Sequence, residues 1–257
     1  MAMWRTLLLA AVCPIGSARV PSPVTQLWPS PQFWPINYAF PGIKTLSEDP
    51  PIFVVDDLLD EETCERLIAK ATPHLRQSLV QTEDGYVPNP SRTSSDSTVD
   101  WSEVVGLQTL FSDLLAMPTS HFEPLKVTKY REGEAFLIHH DGLPEGSADG
   151  LPICTTPYCN RVVTLFVYLR ECESGGATDF PGVDPALSIQ PKRGMGVVHF
   201  PSYMPARDGE RDERVLHEGA AAIDEKWICQ QWGWTGPLVR EALPESMLGR
   251  RWDDTLL

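Results

Sequence analysis

Residues 161–170, Arg-Val-Val-Thr-Leu-Phe-Val-Tyr-Leu-Arg, are the stretch of this chain that best indicates its fold. They are rich in β-branched and aromatic side chains, which favour strands. Apolar residues occupy both alternating faces of the stretch, as expected for a strand that is covered on both sides. Residues 161–170 therefore predict a strand in the middle of a core built from two sheets.

Shorter strand-like segments, separated by turn residues, lie on both sides of this strand. They are predicted at Leu125–Tyr130, Ala135–Asp141, Gly196–Phe200 and Trp227–Trp234. Many short strands of this kind are typical of sandwiches and jelly rolls.

The part of the chain before residue 122 predicts two amphipathic helices after a short β-branched strand that begins at Pro51. Asp60 is suited to cap the first helix, in which apolar residues recur at helical spacing. The second is predicted from Trp101 to Leu115, before Pro118 interrupts the pattern. Helices followed by many strands favour an α+β, mainly β fold: a double-stranded β-helix, or jelly roll, with supporting N-terminal helices.

A chain of 257 residues, 42% of them hydrophobic, fits one main domain with short extensions. The N-terminal residues carry a basic side chain before a short apolar run and then small residues, which is typical of a secretory leader. A leucine-rich disordered start is the alternative. We therefore expect a signal peptide or short anchor over 1–18, a Pro-rich extended arm over 19–50, helical support over 51–121, the jelly-roll core over 122–236 and a C-terminal tail over 237–257.

The leader also predicts where the protein works. We expect it in the secretory pathway, in the lumen of the endoplasmic reticulum, or attached to the membrane if the N-terminal segment is retained as an anchor. Six cysteines occur, and five would remain after cleavage, so complete internal pairing is excluded. Cys154 and Cys159 could close a loop disulfide or could be two reduced thiols.

The charge balance disfavours one class of partner. With 21 basic and 35 acidic side chains the formal net charge is -14, which repels phosphates. We expect no nucleic-acid partner, and a nucleobase demethylase is disfavoured for the same reason. Basic or neutral polypeptides suit such a surface better.

His139 and Asp141 are the first candidate metal ligands. In a strand over residues 135–141 they point to one face, while His140 points to the other. His217 is the candidate third ligand. Two histidines and one carboxylate leave coordination positions open, as non-haem iron(II) requires, whereas zinc prefers a closed tetrahedral set. The alternative is a set of surface or core histidines without a metal.

Lys226 is the candidate anchor for a dicarboxylate co-substrate. A dicarboxylate such as 2-oxoglutarate needs a fixed cation for its distal carboxylate. Lys226 follows His217 and begins the strand-like run at Trp227. The alternative is a solvated lysine in a turn.

Several ordered blocks around these residues resemble the catalytic region of prolyl 4-hydroxylases. Residues 130–141, Tyr-Arg-Glu-Gly-Glu-Ala-Phe-Leu-Ile-His-His-Asp, are similar to the family's Tyr-x-x-Gly-x-x-Tyr-x-x-His-x-Asp, with Phe136 replacing the second tyrosine. Further similar blocks lie at 91–95, 161–181 and 191–194. Leu216-His217 and Lys226-Trp227 resemble the last block, although the family's usual interval is one residue longer. The resemblance spans residues 51–236.

The resemblance implies an iron(II)- and 2-oxoglutarate-dependent dioxygenase. It would couple oxidative decarboxylation of 2-oxoglutarate to succinate with hydroxylation of peptidyl proline, using O2 and L-ascorbate. It implies that His139, Asp141 and His217 hold iron, that Lys226 pairs with the co-substrate and that Tyr130 hydrogen-bonds it. A proline-rich polypeptide is the expected substrate. The alternatives are the same chemistry on another peptidyl side chain or a small molecule, and a non-catalytic jelly-roll binding module; the need for a partner subunit stays open.

Overall fold

The computed structural model describes residues 34–82, 85–144, 153–154, 159–203, 209–243 and 247–248. The signal peptide or anchor predicted over residues 1–18 lies outside this part of the chain. Within it, no helix has both the length and the apolar character needed to cross a membrane.

Two α-helices and fourteen strands form the regular structure of the described residues. The helices are α1 (Glu61–Ala71) and α2 (Val105–Leu115). The strands are β1 (Ile43–Glu48), β2 (Pro51–Val55), β3 (Arg76–Gln77), β4 (Val80–Thr82), β5 (Gly85–Val87), β6 (Ser95–Val99), β7 (Leu125–Tyr130), β8 (Phe136–His139), β9 (Arg161–Tyr168), β10 (Thr178–Phe180), β11 (Leu187–Ile189), β12 (Gly196–His199), β13 (His217–Gly219) and β14 (Lys226–Trp234).

The strands form two main sheets. The larger has eight strands in the order β1-β2-β12-β9-β14-β7-β6-β3, and the smaller has four in the order β11-β10-β13-β8. All of the named strand pairs are antiparallel, and β4 and β5 form a separate hairpin. Two facing antiparallel sheets with helices on one side confirm the prediction of a mainly β, jelly-roll fold.

The eight-stranded sheet is covered on both faces, and β9 shows this directly. Its side chains alternate between two buried clusters, with Val163, Leu165 and Val167 on the helix side and Phe166 and Tyr168 on the side of the small sheet. This period of two explains why apolar residues occupy both faces of the strand.

The helices pack on the outer face of the large sheet. Helix α1 begins at the predicted cap, because Asp60 Oδ1 accepts a hydrogen bond from the Thr63 N–H at 2.8 Å. Leu67 of α1 and Phe111 of α2 are among the residues buried against this face. Helix α2 ends at Ala116, which adopts positive φ.

The predicted extended arm over residues 19–50 is corrected in its last part, where β1 pairs with β2. The Trp34 ring lies 4.8 Å from the Phe200 ring, so the chain joins the folded domain before residue 50. The high proline content argued against a central strand, but β1 is an edge strand, which needs hydrogen bonds on one side only. Residues 19–33 lie outside the described part.

Other boundaries also differ from the predictions. Segment 51–121 is more than helical support, since β2 and β6 are strands of the large sheet. In the predicted tail, Leu243 and Met247 are buried in a cluster with Trp101 and Trp234. These contacts join segments distant in sequence, which local patterns do not reveal.

Cys154 and Cys159 are both buried, and neither forms a disulfide in the structure. A hydrogen bond from Cys154 and burial raise the pKa of the Cys159 thiol. Of the two alternatives for this pair, the structure contains the reduced one.

Candidate metal and co-substrate site

The three predicted ligands meet at one end of the small sheet. His139 ends β8, Asp141 follows two residues later, and His217 begins β13 directly opposite His139. The ligand atoms of the three side chains all lie within 4.8 Å of one another. Nε2 of His139 lies 3.8 Å from Oδ1 of Asp141, and Nε2 of His217 lies 3.9 Å from Oδ2.

Both histidines turn the same nitrogen towards the carboxylate. His139 Nδ1 is 2.8 Å from the Leu137 carbonyl oxygen, and His217 Nδ1 is 3.1 Å from that of Val215. A carbonyl oxygen only accepts hydrogen bonds, so Nδ1 of each ring carries the proton and donates it. Each Nε2 therefore presents a free lone pair to the space beside Asp141, as a metal ligand must.

His140 points away from this cluster, as strand alternation predicts. Its Nδ1 accepts a hydrogen bond from the Gly142 N–H at 2.9 Å, and its Nε2 lies 3.1 Å from the Asp212 carbonyl oxygen. Both nitrogens thus contact the main chain, one at Gly142 after β8 and the other at Asp212 before β13. The alternation persists although β8 ends at His139, two residues earlier than predicted.

The protonation states suit a divalent metal. Burial lowers the pKa of His139 to about 3, with a further contribution from His217, and burial also lowers the pKa of His217. Both rings are therefore neutral near pH 7. Burial by itself would raise the pKa of Asp141, but the imidazoles, once acid protonates them, and Arg161 hold it below its ordinary value, so this carboxylate is ionised near pH 7.

Two residues of β9 hold Asp141 in place. The Thr164 hydroxyl donates to Asp141 Oδ2 at 2.8 Å, and an Arg161 Nη1–H donates to the Asp141 carbonyl oxygen at 3.2 Å. Arg161 is itself fixed by a two-point contact with Glu123, at 2.6 and 3.1 Å. Two neutral imidazoles and one fixed carboxylate, with no fourth protein ligand in the cluster of described residues, form the donor set that non-haem iron(II) prefers.

Lys226 lies between the two sheets at the start of β14 and is only 2% exposed. Burial lowers its pKa to about 8. Its Nζ lies 5.3 Å from the Tyr130 ring centre and 5.6 Å from that of Tyr168, and among the described residues it has no ion pair. A buried cation without an anion is costly, so this position fits a ligand that brings a negative charge.

Glycines leave room beside Lys226. A Cβ at Gly176, where φ is +66°, would lie 3.2 Å from Lys226 Cδ, and a Cβ at Gly219 would lie 3.7 Å from Nζ. Gly219 is two residues after His217 on β13, so the two share a face of the strand. The space beside the lysine is therefore reached along β13 from the histidine cluster.

Tyr130, the other predicted co-substrate residue, lies beside Lys226. It pairs with Lys226 across β7 and β14 and is 4% exposed. Burial raises the pKa of its hydroxyl, so it stays a neutral hydrogen-bond donor. The structure thus places all five predicted site residues in the inter-sheet region.

A cavity of about 540 Å³ opens onto the metal cluster from outside. Phe136 covers one side of His139, with ring centres 3.5 Å apart and planes at 13°. The Arg92 guanidinium lies over the Phe136 ring, 4.7 Å from its centre. The cavity is lined by aromatic, basic and apolar side chains, among them Tyr86, Trp232, Arg161, Arg211 and Ile138.

Sequence reasoning missed the residues that reach the site from the large sheet. Thr164 and Arg161 lie within the similar block at 161–181 but have no predicted role, and His199 on β12 is not among the predicted site residues. Alternation along β9 places Thr164 on the same face as Tyr168, and this pattern could have predicted that Thr164 faces the site. His199 lies beside Thr164 only because β12 pairs with β9, and no local pattern predicts that pairing.

Comparison with known proteins places this geometry in context. Probable prolyl 4-hydroxylase 3 from Arabidopsis thaliana is 28% identical over 212 residues, covering 74% of this chain and 71% of the relative. Prolyl 4-hydroxylase 2 from the same plant is 26% identical over 215 residues, covering 74% and 69%. The chain is similar to prolyl 4-hydroxylases. The resemblance predicted from the sequence is confirmed, although no model of a protein family matches the chain.

Solved structures share the fold. The viral collagen prolyl hydroxylase of Paramecium Bursaria Chlorella virus-1, in its 2-oxoglutarate complex, gives a TM-score of 0.53 at 24% identity and covers 71% of this chain and 95% of that one. A prolyl hydroxylase from Trichoplax adhaerens, in complex with a hypoxia inducible factor peptide fragment, gives 0.50 at 17% identity, covering 72% and 83%. The jelly-roll fold therefore agrees with that of prolyl hydroxylases.

Proposed function

We propose that this protein is an iron(II)- and 2-oxoglutarate-dependent dioxygenase that hydroxylates peptidyl proline. One observation supports this most strongly. A neutral two-histidine, one-carboxylate cluster lies near a buried lysine that has no ion pair among the described residues, and Gly219 of β13 connects the two. The first suits iron(II), and the second suits the distal carboxylate of a dicarboxylic co-substrate.

Each site residue has a defined part in this proposal. His139, Asp141 and His217 would hold the iron, and Lys226 would pair with the distal carboxylate of 2-oxoglutarate, with the Tyr130 hydroxyl as an added donor. Iron bound here would use 2-oxoglutarate and O2 to insert oxygen into a substrate C–H bond, releasing succinate and carbon dioxide. The protein's own contribution is to orient these groups and to exclude water from them.

The surroundings of the cluster are built for such positioning. Asp141 is 6% exposed and is held from β9, while the Phe180 ring stacks against His217 at 5.3 Å. On the cavity side, Phe136 shields His139. These contacts limit movement of the ligands and cover the faces of His139 and His217 that they touch.

The cavity supports a polypeptide substrate rich in proline. Extended proline-rich segments are preformed and bind grooves lined by aromatic side chains, and Tyr86, Phe136 and Trp232 line this one. The relatives are named prolyl 4-hydroxylases, and one structural neighbour was solved with a peptide. We propose the same class of substrate here.

Mass spectrometry of proline-rich peptides tests the proposal. Peptides would be incubated with the protein, iron(II), 2-oxoglutarate, O2 and ascorbate. We expect one added oxygen on proline, lost when 2-oxoglutarate is omitted or when Asp141→Ala replaces the wild type. Oxygen on another side chain would refute proline as the substrate, and no oxygen transfer to any of a broad peptide set would refute peptide hydroxylation.

We also propose that the protein acts in the lumen of the secretory pathway. The support is the leader-like sequence at the N-terminus, where a basic residue precedes a short apolar run. A glycosylation reporter fused to the C-terminus of the full chain would be glycosylated if the proposal is right. An unmodified reporter in the same cells would contradict it.

A further inference from the structure

His199 is a buried histidine next to the metal cluster that nothing above has used. It ends β12 and lies opposite Thr164 on β9. Its side chain is 0% exposed, and neither ring nitrogen has a hydrogen-bond partner among the described residues. Burying an imidazole with both nitrogens unsatisfied costs about 1–3 kcal/mol, so a hydrogen-bond partner for His199 would stabilise the protein.

The ring is directed towards the Asp141 carboxylate. His199 Nε2 lies 3.6 Å from Asp141 Oδ2, the oxygen that also accepts the Thr164 hydroxyl hydrogen. Its ring centre is 4.7 Å from that of His217. A shift of a few tenths of an ångström would bring Nε2 within the usual hydrogen-bond range.

Phe180 and Phe166 fix the other sides of the ring. Their ring centres lie 5.3 and 6.5 Å from that of His199, in edge-on arrangements. Packing alone would thus be satisfied by a phenylalanine at position 199, without the cost of unpaired nitrogens. His199 also lies outside the three residues whose ligand atoms are mutually within 4.8 Å, which argues against a role as a direct ligand.

We propose that His199 is a positioning residue that donates its Nε2–H to Asp141 Oδ2 in the metal-bound protein. Together with the Thr164 hydroxyl, it would hold the carboxylate in the orientation that ligates the metal. Asp141 is the only carboxylate of the described cluster, so its orientation affects metal affinity directly. This inference rests on the proposed function, because it presupposes a metal at this cluster.

Metal affinity and apo stability, measured together, test the inference. Co²⁺ serves as an air-stable probe for iron(II), and its Kd is measured by calorimetry on the wild type, His199→Phe and His199→Gln. We expect His199→Phe to weaken Co²⁺ binding about 10-fold or more. His199→Gln, whose amide N–H can reach the same oxygen, should recover most of that loss. The melting temperature of apo His199→Phe should equal or exceed that of the wild type, since an unpaired polar group is removed.

Val197→Ala is the matched control, because Val197 precedes His199 on the same face of β12 and is also fully buried. We expect it to lower the melting temperature with little effect on Co²⁺ affinity. Unchanged affinity in His199→Phe, or an equal loss in Val197→Ala, would overturn the role of His199. A wild-type protein that does not bind Co²⁺ would instead overturn the proposed function itself.

Discussion

Lys226 is the residue whose surroundings make the strongest demand for a ligand. Folding places its ammonium group beside two tyrosine rings, almost entirely out of water and without an ion pair among the described residues. Such a group lowers the stability of the empty protein and contributes to binding once an anion arrives. The two effects can be separated by removing the charge while keeping the shape.

Lys226→Met makes that separation. Loss of a charge-assisted hydrogen bond of about 1.5–3 kcal/mol should raise the KM for 2-oxoglutarate about 10- to 100-fold, with a smaller effect on kcat at saturation. The apo variant should melt at a higher temperature than the wild type, since a buried unpaired charge is gone. An unchanged KM would show that a different basic side chain pairs with the distal carboxylate of 2-oxoglutarate.

The pKa of Lys226 also predicts how co-substrate binding depends on pH. Only the protonated amine pairs with a carboxylate, and burial lowers the pKa of the free group to about 8. The Kd for 2-oxoglutarate should therefore be nearly constant below pH 8 and rise by up to about 10-fold per pH unit above it. Calorimetry on Co²⁺-loaded protein measures this. Lys226→Met should abolish the dependence, and an equal rise in that variant would show that another group titrates.

At the scale of single residues, the sequence predicted the three clustered side chains better than the residues that hold them in place. His139 and His140 are neighbours in one strand-like segment, so alternation of side chains predicts that only one of them faces Asp141. Thr164 and His199 were not predicted because they approach Asp141 from the other sheet. Their proximity depends on which strands pair, and a single sequence gives no direct signal for that.

Among the elements, the prediction differs most from the structure at β1 and the residues before it. Proline density predicted an extended arm, yet β1 forms the edge of the large sheet and the Trp34 ring packs 4.8 Å from the Phe200 ring. The three-residue strands β10, β11 and β13 were also missed, because a period of two cannot be read from three residues. Longer elements such as α1, α2 and β9 were predicted well.

Trp34→Ala tests whether the arm belongs to the folded domain. The ring is partly buried, so we expect a loss of about 2 kcal/mol in the free energy of unfolding, below that for a fully buried tryptophan. Urea denaturation measures the change, with Co²⁺ affinity expected to stay as in the wild type. Tyr38→Ala is the matched control, because Tyr38 is 58% exposed, and it should cost at most about 1 kcal/mol. Equal losses in the two variants would contradict a packed Trp34.

At the scale of the whole molecule, the site is a cluster of buried neutral histidines that folding must keep uncharged. Burial lowers the pKa of His139, His199 and His217, while each ring titrates near 6.5 in the unfolded chain. Below pH 6.5 the unfolded chain therefore binds more protons than the folded protein. Stability conferred by these groups is present above that pH and is lost as the pH falls.

The apo protein should accordingly lose stability on mild acidification. Each of the three histidines contributes up to about 1.4 kcal/mol per pH unit between its folded and unfolded pKa values. Urea denaturation at a series of pH values from 7 to 5 measures the loss, and saturating Co²⁺ should protect the protein by keeping the rings deprotonated. His199→Phe should show a shallower dependence. A free energy of unfolding that is flat over this range would contradict the buried, neutral state of the cluster.

The general architecture was predictable because it depends on the distribution of strands and helices along the chain. The order of strands in the sheets was not, since β2 and β6 come from the part assigned to helical support. The same sheet order brings β9 and β12 over the metal cluster. The long-range topology thus completes a site whose ligands were already visible in the sequence.

Succinate release from 2-oxoglutarate, measured with iron(II), O2 and a proline-rich peptide, tests the assignment of the site most directly. The wild type should release succinate only when iron(II) is present, His139→Ala and Asp141→Ala should release none above background, and His140→Ala should retain activity. His140 is the matched control because it neighbours both ligands but points away from them. Succinate release by His139→Ala or Asp141→Ala at the wild-type rate would contradict the assignment of the iron ligands.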